Sequence, residues 1–388
     1  MAGTFPNLFA PVQLGVKEAA NRIWLAPLSV AYANSDGSVS KAEIEHYARR
    51  ARGGASVVLT EHFVISESGR QLPGQTVVDS SDKLPGLRAL SDAVHEEGGL
   101  IIAQLGHAGR YGGPWDRYEE QPRYAPSAIP FRLVGDRVVT PAEASLDEIS
   151  VMLDDFERSA SLLAEAGFDG VLLHASQGFL PSLFLSPRTN RRIDNYGGSF
   201  ENRIRFVLEA FERIRRGFGS SGVFGAQVLG DETVDGGWST HDAIELSVRL
   251  EAAGADFLLP TVATFETLRS LIANGEDRRW GHQLGAAIAI QAAVNIPVVA
   301  NGGLRNAEQM DRLVGDRLVA AVALARPLLS NPDWPKSAAS GESIPSSCDC
   351  NPSTCLQTQL TGTVCHSWPE QQQVAGVWGL EESEELVK

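Results

Sequence analysis

Short apolar runs alternate with longer amphipathic runs from about residue 22 to residue 335. The apolar runs fall at 23–26, 57–60, 100–104, 170–174, 224–228, 257–260, 298–301 and 319–324. Several are apolar at nearly every position, which is how strands covered on both faces read. The amphipathic runs predict helices. The run at 40–52 opens with Ser40 and Glu43 at capping-box spacing. The run at 146–166 carries apolar residues at helical spacing and stops at Gly167. Runs at 200–218, 240–253 and 305–314 follow the same pattern, and Gly254 and Gly315 come after the last turns of two of them.

Eight strands interleaved with helices predict an α/β chain folded as a single (β/α)8 TIM barrel over residues 1–335, with a short cysteine-containing tail at 336–388. The competing architecture is a doubly wound open sheet. It lacks support, because no Gly-x-Gly-x-x-Gly stands between the first strand and the first helix. Two long connections, 105–145 and 175–199, each follow a strand. In a barrel they lie over the C-terminal ends of the strands, where sites are built.

Composition narrows the partners. With 48 acidic and 33 basic side chains the net charge is −15, unfavourable for nucleic acid or an anionic membrane surface. No apolar run has membrane-spanning length, and the opening MAGTFPNLFAPVQLG does not read as a secretion signal, so a cytoplasmic location is expected.

Candidate chemistry sits at the strand ends. Strand seven ends at Asn301-Gly302-Gly303, and strand eight at Ala325-Arg326. Two glycines before a helix let backbone N–H groups approach an anion, and Arg326 adds fixed positive charge; phosphate is the expected ligand there. Strand three ends in QLGHAGR at 104–110, where the Gln104 amide can both donate and accept. His107 in that run reads more simply as a structural histidine. Strand four ends at His174, followed by Gln177 and Phe179. A histidine in that position can hydrogen-bond a substrate oxygen, or it can simply pack.

Read together, these segments resemble the Old Yellow Enzyme family of flavin reductases. The resemblance rests on NRIWLAPLS at 21–29, QLGHAGR at 104–110, YAPS at 124–127, AGFDGV at 166–171, FLSP at 184–187, NRRIDNYGGSFENR at 190–203, NGG at 301–303 and ARP at 325–327, in collinear order over about residues 5–335. It implies FMN at the mouth of the barrel, reduced by NAD(P)H and reoxidised by an activated alkene, commonly one conjugated to a carbonyl. It places Pro27, Leu28 and Ser29 along the flavin ring and Gln104 at its pyrimidine edge. Asn301, Gly302, Gly303, Ala325 and Arg326 then hold its phosphate. It also implies a homo-oligomer as the common assembly.

Three departures fall on the chemistry. The family's His-x-x-His or His-x-x-Asn pair is His174 and Gln177 here. The family tyrosine that protonates the substrate falls on Phe179, which has no proton to give; His62, just after strand two, is a candidate substitute acid or a space-filling residue. The family's Arg or Lys beside the flavin falls on Gln227, and a neutral side chain there is expected to lower the reduction potential. The expected substrates are unsaturated carbonyl compounds or quinones. A flavin-dependent isomerase, a specialised biosynthetic redox enzyme, or an FMN-binding module with reduced turnover are the alternatives.

All four cysteines lie in the tail, as Cys348-x-Cys350-x4-Cys355-x9-Cys365. Larger relatives such as 2,4-dienoyl-CoA reductase carry a four-cysteine [4Fe–4S] site just after the barrel, spaced close to Cys-x2-Cys-x3-Cys-x11-Cys. Here the second cysteine is one place early and the last gap is shorter. Three outcomes stay open: a metal-free or disulfide-prone tail, a [4Fe–4S] cluster, which would need a redox partner protein, or tetrahedral zinc.

Overall fold

The structure is a computed structural model that describes residues 4–113, 122–132, 137–273, 281, 283–341 and 362–369. Eight parallel strands form its centre: β1 Ile23–Leu25, β2 Val57–Val64, β3 Leu100–Gly106, β4 Gly170–Ala175, β5 Val223–Asp231, β6 Phe257–Leu258, β7 Val299–Ala300 and β8 Ala321–Leu324. Each pairs with its neighbours in chain order, and β8 pairs back onto β1 with Val322 opposite Ile23. The last seam, between β6 and β7, is closed by a bridge from Leu258 to Val298, with the Leu258 N–H donating to the Pro297 carbonyl at 2.9 Å. A closed ring removes exposed strand edges, as the barrel expectation required.

Eight of the described helices follow the strands in turn: α1 Lys41–Arg52, α2 Leu84–Glu96, α3 Leu146–Glu165, α4 Phe200–Phe218, α5 Thr240–Ala252, α6 Leu284–Gln291, α7 Ala307–Gly315 and α8 Trp334–Ser340. Alternation along each strand divides the core into two layers. Ile23, Leu25, Val58, Ile101, Ala103, Val171 and Leu173 face the helices. Trp24, Val57, Leu59, Ile102, Leu172, Phe257, Leu259 and Val299 fill the lumen. An N-terminal hairpin, Val12–Leu14 with Lys17–Ala19, packs Val12, Leu14 and Ala19 into the same lumenal cluster and so caps it.

Local signals explain the helix limits. Ser145 and Glu148 form a full capping box at the start of α3, and Gly167, just past its end, has φ +84°. Gly315 differs from the expectation. It lies inside α7, and the left-handed turn after that helix belongs to Arg317 at φ +58°. Gly315 is small for another reason: a Cβ there would sit 2.7 Å from the Asn7 side-chain nitrogen, so the N-terminal segment packs directly on its backbone.

The segment 362–369 returns to the barrel. The Thr363 N–H donates to the Val30 carbonyl at 2.8 Å, its hydroxyl to the Ser29 carbonyl at 3.2 Å, and Trp368 Nε1 to the Leu329 carbonyl at 2.6 Å. Cys365 is buried there with Leu329, Trp368 and Leu28. Cys348, Cys350 and Cys355 lie outside the described residues, and among the described residues no three His, Cys, Asp or Glu side chains are placed to hold a metal ion. No described helix is long and apolar enough to cross a membrane.

Candidate active site

One more step of the inward alternation, past the lumenal hydrophobics, reaches polar side chains. Ile102 leads to Gln104 on β3, Leu172 to His174 on β4, and Val299 to Asn301 after β7. Gln104 and Gln227 sit on strands that flank β4, yet the Gln104 amide donates directly to the Gln227 side-chain oxygen. That bond can form only across the mouth of the barrel. His62 and His174 are likewise one strand apart, and their ring centroids are 5.1 Å from each other. The structure therefore brings His62, Gln104, His174 and Gln227 together over the lumen.

His62 reaches the lumen through a bulge. Leu59 is opposite Ile102 and His62 opposite Gln104, so β2 carries one extra residue in that span. Unbroken alternation from Leu59 would have turned Glu61 inward. Instead Glu61 faces out, fully buried, and its carboxylate accepts from the Val30 and Ala31 N–H groups at 2.9 and 3.2 Å. This fixes the loop after β1 that carries Pro27, Leu28 and Ser29. Burial, and then the neighbouring Glu43, push the Glu61 carboxyl well above the usual range.

The corner around His62 and His174 is lined by aromatic rings. Phe179 stands 4.8 Å from the His174 ring and 4.9 Å from the His62 ring, and Tyr111, Phe131 and Phe265 extend the aromatic wall. Burial lowers the His62 pKa to about 4, partly offset by the Gly106 carbonyl beside it. Burial, and then His62, hold His174 well below its ordinary value, while a side-chain hydrogen bond with Gln177 pulls the other way. Both rings are therefore neutral near pH 7. Gln177 adopts φ +59°, an uncommon conformation for a residue with a side chain, and a parallel bridge to Thr264 holds it there. His107 is structural as expected: its Nδ1 accepts from the Gly109 N–H at 2.9 Å, and its Nε2 meets the Ser68 hydroxyl at 3.1 Å.

The opposite corner is made of backbone. Gly302 and Gly303 take φ +82° and +69°, so two consecutive left-handed residues follow strand β7. The Asn301 amide donates to the Pro260 carbonyl at 2.8 Å. Across the seam, Ala325 and Arg326 open the short helix Arg326–Ser330. Arg50, fully buried, ties that helix down by donating to the Leu328 and Leu329 carbonyls at 3.2 and 3.3 Å.

The segments that converge on the mouth correspond to a known family. Residues 7–344 match the family model described as the NADH:flavin oxidoreductase / NADH oxidase family. The chain belongs to that family. It is 35% identical over 338 residues to an NADH oxidase of Thermoanaerobacter brockii, covering 87% of this chain and 51% of that one. The chain thus spans about half the length of that relative. Among solved structures it resembles a 2-naphthoyl-CoA reductase in complex with 2-naphthoyl-CoA, with a TM-score of 0.89 at 26% identity over 96% of this chain and 58% of that one. It also resembles the Old Yellow Enzyme homologue of Zymomonas mobilis, with a TM-score of 0.74 at 26% identity over 92% and 97% of the two chains.

The family's flavin, FMN, fits the residues present at this mouth. The Thr261 hydroxyl and both His62 ring nitrogens are buried without a well-formed hydrogen bond inside the protein. Such groups call for a ligand or water to satisfy them. Gln104 and Gln227 offer amide donors and acceptors of the kind a pyrimidine edge requires, and the glycine pair takes left-handed conformations of the kind that let backbone approach an anion. The sequence did not reveal the inward turn of His62, Thr261, or the aromatic wall of Tyr111, Phe131 and Phe265. Their roles depend on a bulge and on loop packing that leave no period in the sequence.

Proposed function

We propose that this chain binds FMN at the barrel mouth and passes reducing equivalents from NAD(P)H to an unsaturated carbonyl compound or a quinone. The observation that carries the reading is the convergence of His62, Gln104, His174 and Gln227 on one face, opposite the Gly302-Gly303 turn and Arg326. When bound, the flavin supplies hydride acceptance and donation. Pro27, Leu28 and Ser29 form its resting surface, kept in place by Glu61 from one side and the 362–369 segment from the other. Gln104 and Gln227 hold its pyrimidine edge, and Asn301, Gly302, Gly303, Ala325 and Arg326 hold its phosphate.

His174 and Gln177 bind the substrate oxygen. Because His174 stays neutral, it polarises that oxygen as a hydrogen-bond donor without transferring a full charge. Phe179 excludes water at the place where the proton would be delivered and supplies none. This favours acceptors whose reduction needs no positioned carbon acid, quinones above all, because His62, which lies one ring away from Phe179, has its pKa lowered by burial to about 4 and has no acidic proton to give near pH 7.

Anaerobic mixing of FMN-loaded protein with NADH or NADPH tests this. Flavin bleaching followed by reoxidation with an enone or quinone supports the reading, and a faster quinone step supports the role given to Phe179. FMN held firmly with no bleaching points instead to a binding module. Purification without flavin and without FMN uptake overturns the proposal.

A further inference from the structure

His62 is buried in the mouth, and among the described residues neither of its ring nitrogens has a well-formed hydrogen bond. Its place there is supported from several directions. The extra residue in β2 disturbs the ladder to β3, and the backbone groups around it find side chains instead. The Gln104 N–H donates to the Thr60 hydroxyl at 3.0 Å, the Glu61 N–H to the Tyr47 hydroxyl at 2.7 Å, and the Gln75 amide to the His62 carbonyl at 3.1 Å. All of these residues are buried. A bulge held at three points fixes the direction of the side chain it carries.

The room for the ring comes from β3. A Cβ on Gly106 would stand 2.6 Å from the His62 Nε2, 2.9 Å from its Cδ2 and 3.0 Å from the His174 Cβ. The imidazole therefore occupies the volume that a side chain at Gly106 would take. Bulge and glycine together bring an imidazole from β2 beside the one on β4, with ring centroids 5.1 Å apart. A ring N–H donating at about 2.9 Å puts the accepting oxygen roughly 4 Å from the ring centre. One oxygen can thus meet both rings across that gap. A neutral imidazole still carries one N–H, whichever nitrogen holds it. Buried donors left unanswered are costly, and a ligand oxygen answers them.

We propose that His62 is a substrate-binding residue, and that its ring and that of His174 together hold one oxygen of a carbonyl or quinone acceptor. The inference rests on the redox reading above only for the identity of the acceptor. When a quinone takes up hydride and its two electrons, one new bond to hydrogen forms and negative charge gathers on the far oxygen. A proton from bulk water completes the hydroquinone as it leaves. Two fixed N–H groups stabilise that charge more than they stabilise the uncharged oxygen, so the acceptor step gains more than binding does.

Titration of the oxidised, FMN-loaded full chain with duroquinone, followed by flavin absorbance, tests this without turnover. His62→Phe keeps a ring in the slot and removes the donor. It should weaken duroquinone binding about fivefold and slow single-turnover reoxidation by about 10², with FMN content and melting temperature unchanged. p-Xylene, a ring of similar width with no oxygen, should bind the wild type and H62F alike. His62→Ala should show the same loss for duroquinone, and added imidazole should restore it. The ring-nitrogen NMR resonances of His62 should move on adding duroquinone and stay in place on adding p-xylene. No duroquinone binding by the wild type, unchanged binding in both variants, or an equal loss of p-xylene in H62F overturns the role of His62. If H62F does not fold, rescue of H62A by imidazole decides. Quinone turnover that ignores both variants refutes this inference alone. A protein that binds duroquinone through His62 yet is not bleached by NAD(P)H refutes the redox reading alone.

Discussion

The two corners of the barrel mouth are built by different means. At the β7–β8 corner the chain turns through Gly302 and Gly303 in left-handed conformations, beside a short helix that Arg50 holds from behind. At the β2–β4 corner stand side chains, His62, His174, Gln177 and Phe179, packed against one another within about a ring's width. Backbone recognition tolerates changes to neighbouring side chains, so its motif stays legible. Side-chain chemistry can be rewritten one residue at a time on an unchanged frame, and Gln177, Phe179 and Gln227 are the positions where the sequence reading expects such rewriting.

The comparison breaks first if the side-chain corner does not control turnover. Replacing His174 with Ala should lower kcat for the acceptor step by about 10²–10³, with FMN content unchanged, because a fixed donor to the substrate oxygen is lost. An intact rate in single-turnover reoxidation would remove His174 from the site. Phe179→Tyr sharpens the same corner from the other side. Its hydroxyl supplies the missing acid, and enone reduction should rise by about 10² while quinone reduction stays level. An equal change in both would show that proton delivery is not what Phe179 withholds.

Gly303→Val tests the backbone corner. A β-branched residue at φ +69° costs on the order of 1–3 kcal/mol and covers the N–H groups, so FMN affinity should fall about tenfold or more while the circular dichroism spectrum is kept. Retained FMN would mean that the glycines serve only the turn. Gln227→Arg is a smaller effect. A cation beside the flavin should raise its potential by on the order of 30 mV, about tenfold for a two-electron couple. A potential that stays or falls would place Gln227 away from the ring.

The smallest effect concerns pH and stability. His62 and His107, with pKa values of about 4 and about 3, are depressed below the ordinary 6.5, so their contribution is present above pH 6.5 and is lost as pH falls toward those values. Glu43, raised by burial to about 8, behaves oppositely: its contribution is present below the ordinary 4.5 and is lost as pH rises toward 8. Below pH 6.5 the two histidines outweigh the one carboxyl, so the melting temperature should rise with pH up to about 6.5 and then fall toward 8. Glu43→Gln should flatten the alkaline fall by a few degrees, and an unchanged alkaline limb would contradict the buried-carboxyl account.

Some of this was legible in the residues. The positions of all eight strands, the Gly167 helix stop and the strand-end places of Gln104, His174 and Asn301 follow from periodicity, because alternation and helical spacing are local properties. Other features were hidden. Gly315 reads as a helix stop but is small because Asn7 packs on it. Glu61 and His62 lie past the predicted strand 57–60, and only the bulge turns His62 inward and Glu61 out.

The sequence alone determined the barrel, its polar strand ends and the glycine turn fit for a phosphate, since each is written in spacings of a few residues. Only the tertiary structure decided which polar groups meet. A one-residue bulge in β2 turned His62 toward His174, the closure of β6 onto β7 put the glycine turn across from Gln104, and two separate loops pooled four arginines beside the mouth. Those encounters join residues tens to hundreds of positions apart, and no local period records them.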